Sequence, residues 1–201
     1  VASAQYEAVR ASVQRFLGTK NQAETIFTSG TTESINLMVS SWGEAHVSAG
    51  DLVVVTRLEH HANFVPWQQL ALRKKARFVI VEVSTETGQL DLAQLRAVLA
   101  EKPKVFAFTG MSNVLGGKIP VAEIAAMAKQ AGVALVGVDA AQMATHLPIT
   151  VSELGPIDWL AFSGHKLWGP TGTGVLWARE AILSAMTPYR YGGDMIARVG
   201  D

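Results

Sequence analysis

The sequence predicts an α/β domain built on a mixed, mostly parallel seven-stranded sheet with helices on both faces. Three observations carry this expectation. Short β-rich runs alternate with helical patterns along the chain. Most of those runs are continuously apolar rather than alternating, as strands covered on both faces are. Of the 201 residues, 49% are hydrophobic and 17% charged, a balance that supplies a large core and argues against disorder. No internal repeat, low-complexity tract or long linker divides the chain, so a single domain is the simpler reading.

Taken in order, residues 1–17 read as an amphipathic helix with Glu7, Arg10 and Arg15, not as a signal peptide. The strands are ETIFT (24–28), LVVVT (52–56), RFVIVEV (77–83), KVFAFT (104–109), ALVGVD (134–139), DWLAF (158–162) and GVLWA (174–178). Helices are expected over 31–42, 63–74, 91–100 and 121–130, with Asp91 as an N-cap and Gly132 as a C-terminal stop. The last two strands lie too close for a helical crossover. Their loop therefore allows an antiparallel strand at the sheet edge. The Trp residues at 42, 67, 159, 168 and 177 are expected in the core or an interface.

Composition excludes several classes. Lys plus Arg equals Asp plus Glu at 17 each. There is no basic stripe for nucleic acid and no cationic amphipathic helix for a membrane surface. The apolar runs are broken well short of a membrane span. Cysteine is absent, which removes disulfides, thiolate metal sites and a cysteine nucleophile from these residues and fits a cytoplasmic protein.

In open α/β sheets, ligands sit beyond the carboxyl ends of the strands. Five strand ends or following loops carry polar, chemically capable groups: SGTT (29–32), EHH (59–61), SN (112–113), DAAQ (139–142) and SGHK (163–166). SGTT follows a strand and opens a helix whose first N–H groups suit a phosphate, with Thr31 and Thr32 as extra donors; a plain capping turn is the alternative. No Gly-Lys-Ser/Thr closes it, so it is not a Walker loop. Asp139 ends an apolar strand and needs a cationic or hydrogen-bonding partner, unless it merely caps the next turn. Gln142 could face the same place. His60 and His61 point to opposite sides of an extended segment, so one could stack on a flat ligand while the other packs. No metal-ligand spacing surrounds them. Lys166 offers an amine beside two anion-binding candidates, Ser163 and His165; a solvated loop lysine is the alternative. GPTGTG (169–174) leads into a strand, so it is a tight turn rather than a dinucleotide fingerprint, and would let the next strand pass close to a cofactor. A phosphate cradle, a ring-stacking group, a carboxylate for a pyridinium nitrogen and an imine-forming lysine together describe a pyridoxal phosphate site.

The segments SGTTESINL, EHHANFVPWQ, SNVLGG, VDAAQ, FSGHKLWGPTGTGVLW and YGGDMI occur in this order across nearly the whole chain. In them the sequence resembles the class V aminotransferase family of fold-type-I pyridoxal phosphate enzymes. It is most similar to second-group cysteine desulfurases and cysteine sulfinate desulfinases. The resemblance implies the large domain of that fold and pyridoxal 5'-phosphate as cofactor. Lys166 would carry the cofactor and later move the substrate proton. Asp139 would pair with the pyridinium nitrogen. Gln142 and Asn113 would lie at the phenolic edge, and His60 would stack on the ring and assist proton transfer. Thr31, Thr32, Ser163 and His165 would hold the phosphate.

The resemblance further implies a homodimer, with Gly192 and Gly193 in its interface region. It implies removal of sulfur from L-cysteine to give L-alanine and an enzyme persulfide, a sulfur-acceptor protein and a place in iron–sulfur cluster assembly. Selenocysteine lyase or aminotransferase activity is the alternative within the family; a silent dimerisation or docking module is the alternative outside it. The family's nucleophilic cysteine and carboxylate-binding arginine fall beyond Asp201. The expectation is therefore that residues 1–201 form the cofactor-binding large domain of a longer enzyme, without its small domain.

Overall fold

A computed structural model describes residues 2–192. In chain order the elements are α1 (Ala2–Leu17), β1 (Thr25–Thr28), α2 (Thr31–Met38), α3 (Glu44–His46), β2 (Leu52–Thr56), α4 (His61–Lys74), β3 (Arg77–Val81), α5 (Leu92–Ala100), β4 (Val105–Thr109), α6 (Val121–Ala131), β5 (Leu135–Asp139), α7 (Met143–His146), β6 (Trp159–Ser163), β7 (Gly174–Ala178) and α8 (Glu180–Ser184). The seven strands form one mixed sheet in the order β1-β7-β6-β5-β4-β2-β3. β2 through β6 run parallel to one another.

β7 is antiparallel, as its short connection to β6 requires, but it is not the edge. β1 pairs with its outer side, from Thr25↔Trp177 to Thr28↔Gly174, and takes the edge position. Nothing local in β1 reveals this, because the pairing joins segments from opposite ends of the chain. Gly174 makes the approach possible: a Cβ there would lie 2.4 Å from the Gly30 Cα. The glycine is thus needed for contact with the backbone that starts α2. The turn before it uses Gly172 at φ +79°, a left-handed conformation that suits glycine.

The continuously apolar strands divide their side chains between two cores, as the period-two pleat demands. Leu52, Val54, Phe106, Phe108, Val136, Val138, Leu160 and Phe162 face α5 and α6. Val53, Val55, Val105, Ala107, Leu135, Trp159 and Ala161 face α2 and α4. Gly137 is the space left for Trp159: a Cβ on it would meet the indole at 1.8 Å. Trp42, Trp67, Trp159 and Trp177 are buried, whereas Trp168 is 91% exposed and takes no part in the core.

Helix boundaries follow local chemistry. Asp91 caps α5 by accepting the Ala93 and Gln94 N–H groups, and Gly132 ends α6 at φ +92°. The helix expected over 31–42 is α2 followed by a π-turn over Val39–Gly43. There the chain crowds α4: a Cβ on Gly43 would come within 2.7 Å of Leu70. α4 begins two residues earlier than expected because His60 caps it, its Nδ1 accepting the Ala62 N–H.

Candidate active site

The carboxyl ends of β2, β4, β5 and β6 and the start of α2 converge on one cavity of about 240 Å³. All nine residues singled out from the sequence line it: Thr31, Thr32, His60, Asn113, Asp139, Gln142, Ser163, His165 and Lys166. His61 does not; it opens α4, its ring centroid 6.0 Å from that of His60. Gly192 is exposed, and Gly193 lies outside the described residues.

At one wall, Gly30 turns the chain from β1 into α2. Gly30 provides no side-chain cap, so the first helical N–H groups must find other partners. Thr31 N–H donates to Ser163 Oγ at 2.8 Å, and the two hydroxyls lie 2.7 Å apart. This contact fixes the start of α2 against the end of β6. Just beyond Ser163 the chain makes one 3₁₀ turn, Gly164–Leu167, which carries His165 and Lys166 to the cavity. Gly164 allows the turn to lie on Thr173, whose Oγ1 would be 2.4 Å from an added Cβ.

Asp139 forms the floor. It is 3% exposed, and among the described residues its side chain takes one hydrogen bond, from Ala141 N–H to Oδ1 at 2.9 Å. Burial pushes its carboxyl above the usual aspartate range. The Ala141 N–H and the charges of Lys166 and His60 work against that rise. His60 is held by its capping bond at 3.1 Å. With Nδ1 accepting, the proton of a neutral ring sits on Nε2, which remains a donor.

The cavity also has residues that sequence reasoning passed over. Ala62, Thr109, Met111 and Ala141 line it. Behind it lies Glu59. Its Oε1 accepts from Thr56 Oγ1 at 2.5 Å and from Thr109 N–H at 2.9 Å, and its Oε2 accepts from Asn63 Nδ2 at 2.6 Å. Burial, with a smaller contribution from the Asp139 charge, pushes the Glu59 carboxyl up to about 8 against the pull of these three donors. The available signal was the acidic residue of EHHAN, four positions before Asn63. No cluster of metal-ligating side chains occurs among the described residues. No described helix is long and apolar enough to cross a membrane.

The aminotransferase class-V family profile matches residues 1–200. The chain belongs to that family. A cysteine desulfurase of Enterobacter sp. (strain 638) is 50% identical over 198 residues, covering 98% of this chain and 48% of the relative. One of Synechococcus elongatus is 45% identical over 96% of this chain and 30% of its own length. Among solved structures, a cysteine desulfurase from Escherichia coli superposes with a TM-score of 0.91 at 38% identity, over 98% of this chain and 49% of that one. An apo cysteine desulfurase from Thermococcus onnurineus NA1 gives the same TM-score and identity over 99% and 48%. The mixed α/β sheet is thus the fold of these class-V proteins, and the chain spans about half the length of the first curated relatives it matches.

Proposed function

We propose that the cavity binds pyridoxal 5'-phosphate and that the chain is the cofactor-binding large domain of a cysteine desulfurase or cysteine sulfinate desulfinase. The observation that carries this reading is Asp139. A buried carboxylate needs compensation, and one backbone N–H is little for it. A protonated ring nitrogen is a fitting partner. The rest of the donor set suits the same molecule. The uncapped start of α2, the paired Thr31 and Ser163 hydroxyls, Thr32 and His165 suit a dianionic phosphate. Lys166 supplies an amine at the same cavity.

When bound, the cofactor supplies an electron sink for charge developing at the α-carbon of an amino acid. The protein residues do the rest. Asp139 would hold a proton at the ring nitrogen. His60 would stack on the ring and offer Nε2–H. Gln142 and Asn113 would bind its polar edge. Lys166 would hold the cofactor and move the proton at the substrate's α-carbon. The 201 residues contain no cysteine, so they do not supply the thiol of a persulfide-forming step. L-Cysteine or a close analogue as substrate, a homodimer, a sulfur-acceptor protein and a cytoplasmic role in iron–sulfur cluster assembly belong to this proposal.

The test is spectroscopic and chemical. Pyridoxal phosphate added to the protein should give a visible absorption band that Lys166→Ala abolishes. With an added thiol to attack the substrate sulfur and carry it as a persulfide, L-alanine should form from L-cysteine, whereas an aminotransferase would give a keto acid. No band with either protein would overturn the cofactor reading.

A further inference from the structure

The sheet is not evenly stitched where the cavity opens. β4 and β5 pair from Val105↔Leu135 through Thr109↔Asp139, and β2 and β3 from Leu52↔Arg77 through Thr56↔Val81. Between β2 and β4 the pairing covers Val53↔Val105 and Val54↔Phe106 and then stops. Both strands continue for two or three residues toward the cavity. This seam is also where strand order reverses, since β3 lies on one side of β2 and β4 on the other. At such a switch point a crevice forms. Backbone groups along it lose their ladder partners and need others.

Glu59 fills the gap. Its Oε1 takes the Thr109 N–H, a donor on the open side of β4, and the Thr56 hydroxyl at the end of β2. Thr56 Oγ1 itself accepts the Leu58 N–H, which directs its hydroxyl hydrogen toward Glu59. On the other oxygen, the sense of the Asn63 bond is fixed from outside. Trp67 Nε1–H, which can only donate, binds Asn63 Oδ1 at 3.1 Å. Asn63 must therefore present its NH₂ to Glu59. One carboxyl group thus joins the end of β2, the first turn of α4 and the end of β4. His60 sits between the first two, and Thr109 is paired in register with Asp139.

We propose that Glu59 is a positioning residue that sets the spacing between His60 and Asp139 by clamping the unpaired ends of β2 and β4. This rests on the cofactor reading above, since His60 and Asp139 matter as a pair only if one ligand lies between them.

The hydrogen-bond directions make Glu59→Gln a severe change rather than a mild one. With the new amide's carbonyl on Thr109, its NH₂ would face the NH₂ of Asn63, which Trp67 prevents from turning. The double variant Glu59→Gln/Asn63→Asp restores every bond: the carboxylate introduced at position 63 accepts from both the amide introduced at position 59 and the Trp67 indole. In protein reconstituted with pyridoxal phosphate, E59Q should raise the dissociation constant on the order of tenfold and shift the visible band, and E59Q/N63D should reverse both. Without cofactor, amide exchange at Thr109 should accelerate on the order of tenfold in E59Q and recover in the double variant. Glu59→Asp, which keeps the carboxyl group but shortens the reach, should show the same losses if E59Q does not accumulate folded. Unchanged exchange at Thr109, or unchanged cofactor binding in E59Q while Asp139→Ala binds weakly, would overturn the proposal. Equal binding by wild type and Asp139→Ala would instead count against the cofactor reading, leaving the clamp to be judged by exchange.

Discussion

Two buried aspartates lie at opposite ends of the sheet, and they are treated differently. Asp158 precedes β6 at the amino end. Its Oδ2 accepts the Val136 N–H at 2.7 Å and meets Lys129 Nζ at 2.5 Å, and the same ammonium donates to the Ala134 carbonyl at 2.9 Å. Asp139 ends β5 at the carboxyl end, where among the described residues one backbone N–H reaches its side chain and it lines the cavity. Similar burial therefore serves different purposes. At the amino end the fold compensates its own charge and gains a tie between α6 and the sheet. On the proposed cofactor reading, the carboxyl end leaves compensation to a ligand, so Asp139 would bear on binding and Asp158 on folding.

The largest expected effect breaks the comparison from the carboxyl end. Asp139→Ala should lower turnover with L-cysteine on the order of 100-fold or more, because a fixed charge beside the reacting system is lost. Its cofactor-free melting temperature should stay the same or rise, since a poorly compensated carboxylate is gone. Activity assays beside thermal unfolding check both halves. A large fall in stability with activity per folded molecule intact would make Asp139 another Asp158.

The mirror experiment comes next. Asp158→Ala should destabilise the protein by about 2–3 kcal/mol, below the range for a fully buried pair because Lys129 can still reach water. Denaturant unfolding measures this. Cofactor affinity of the folded protein should be unaffected.

Legibility in the sequence divides along the same line. The strands could be read because most are continuous apolar runs, and the nine cavity residues because they follow strands. The Asp139 end was readable for a local reason: a charge closing LVGV has no nearby partner in the chain. Asp158 was hidden, since its partners Lys129 and Val136 come from other elements. Glu59 stood in view within EHH, but its role was hidden likewise, because its bond to Thr109 spans 50 residues. The edge position of β1 was hidden because it is defined by β7, near the other end of the chain. Periodicity reports what a segment buries, and not which segment it meets.

A more gradual effect, spread over several pH units, tests the carboxyl end through pH. Glu59 titrates at about 8 in the folded protein, above its ordinary value of 4.5. The folded state therefore holds a proton that the unfolded chain releases. The stability contributed by this proton is fully present below about pH 4.5 and is lost as pH rises through about 8, with a slope of at most about 1.4 kcal/mol per pH unit. Asp139 is shifted in the same direction and adds to the loss. In Glu59→Gln the slope over this window should flatten in the cofactor-free protein, whatever the absolute stability. A slope equal to that of wild type would mean that Glu59 is ionised throughout.

The smallest effect decides whether position or burial gives these charges their weight. Arg57 also lies at the carboxyl end, one residue past β2, and pairs with Glu82 through contacts of 2.9 and 2.5 Å. Both side chains are about half exposed, at 49% and 48%. Water already solvates each charge, so the pair offsets little desolvation and costs side-chain entropy. Arg57→Ala should therefore lose less than about 1 kcal/mol. The loss should shrink further at 1 M salt, where the Debye length falls to about 3 Å and ions compete for both half-exposed charges. Asp158→Ala should keep most of its deficit at the same salt, because Asp158 is shielded from ions. If instead both deficits vanished together, burial would not be what separates the two ends of the sheet, and the contrast between Asp139 and Asp158 would lose its physical basis.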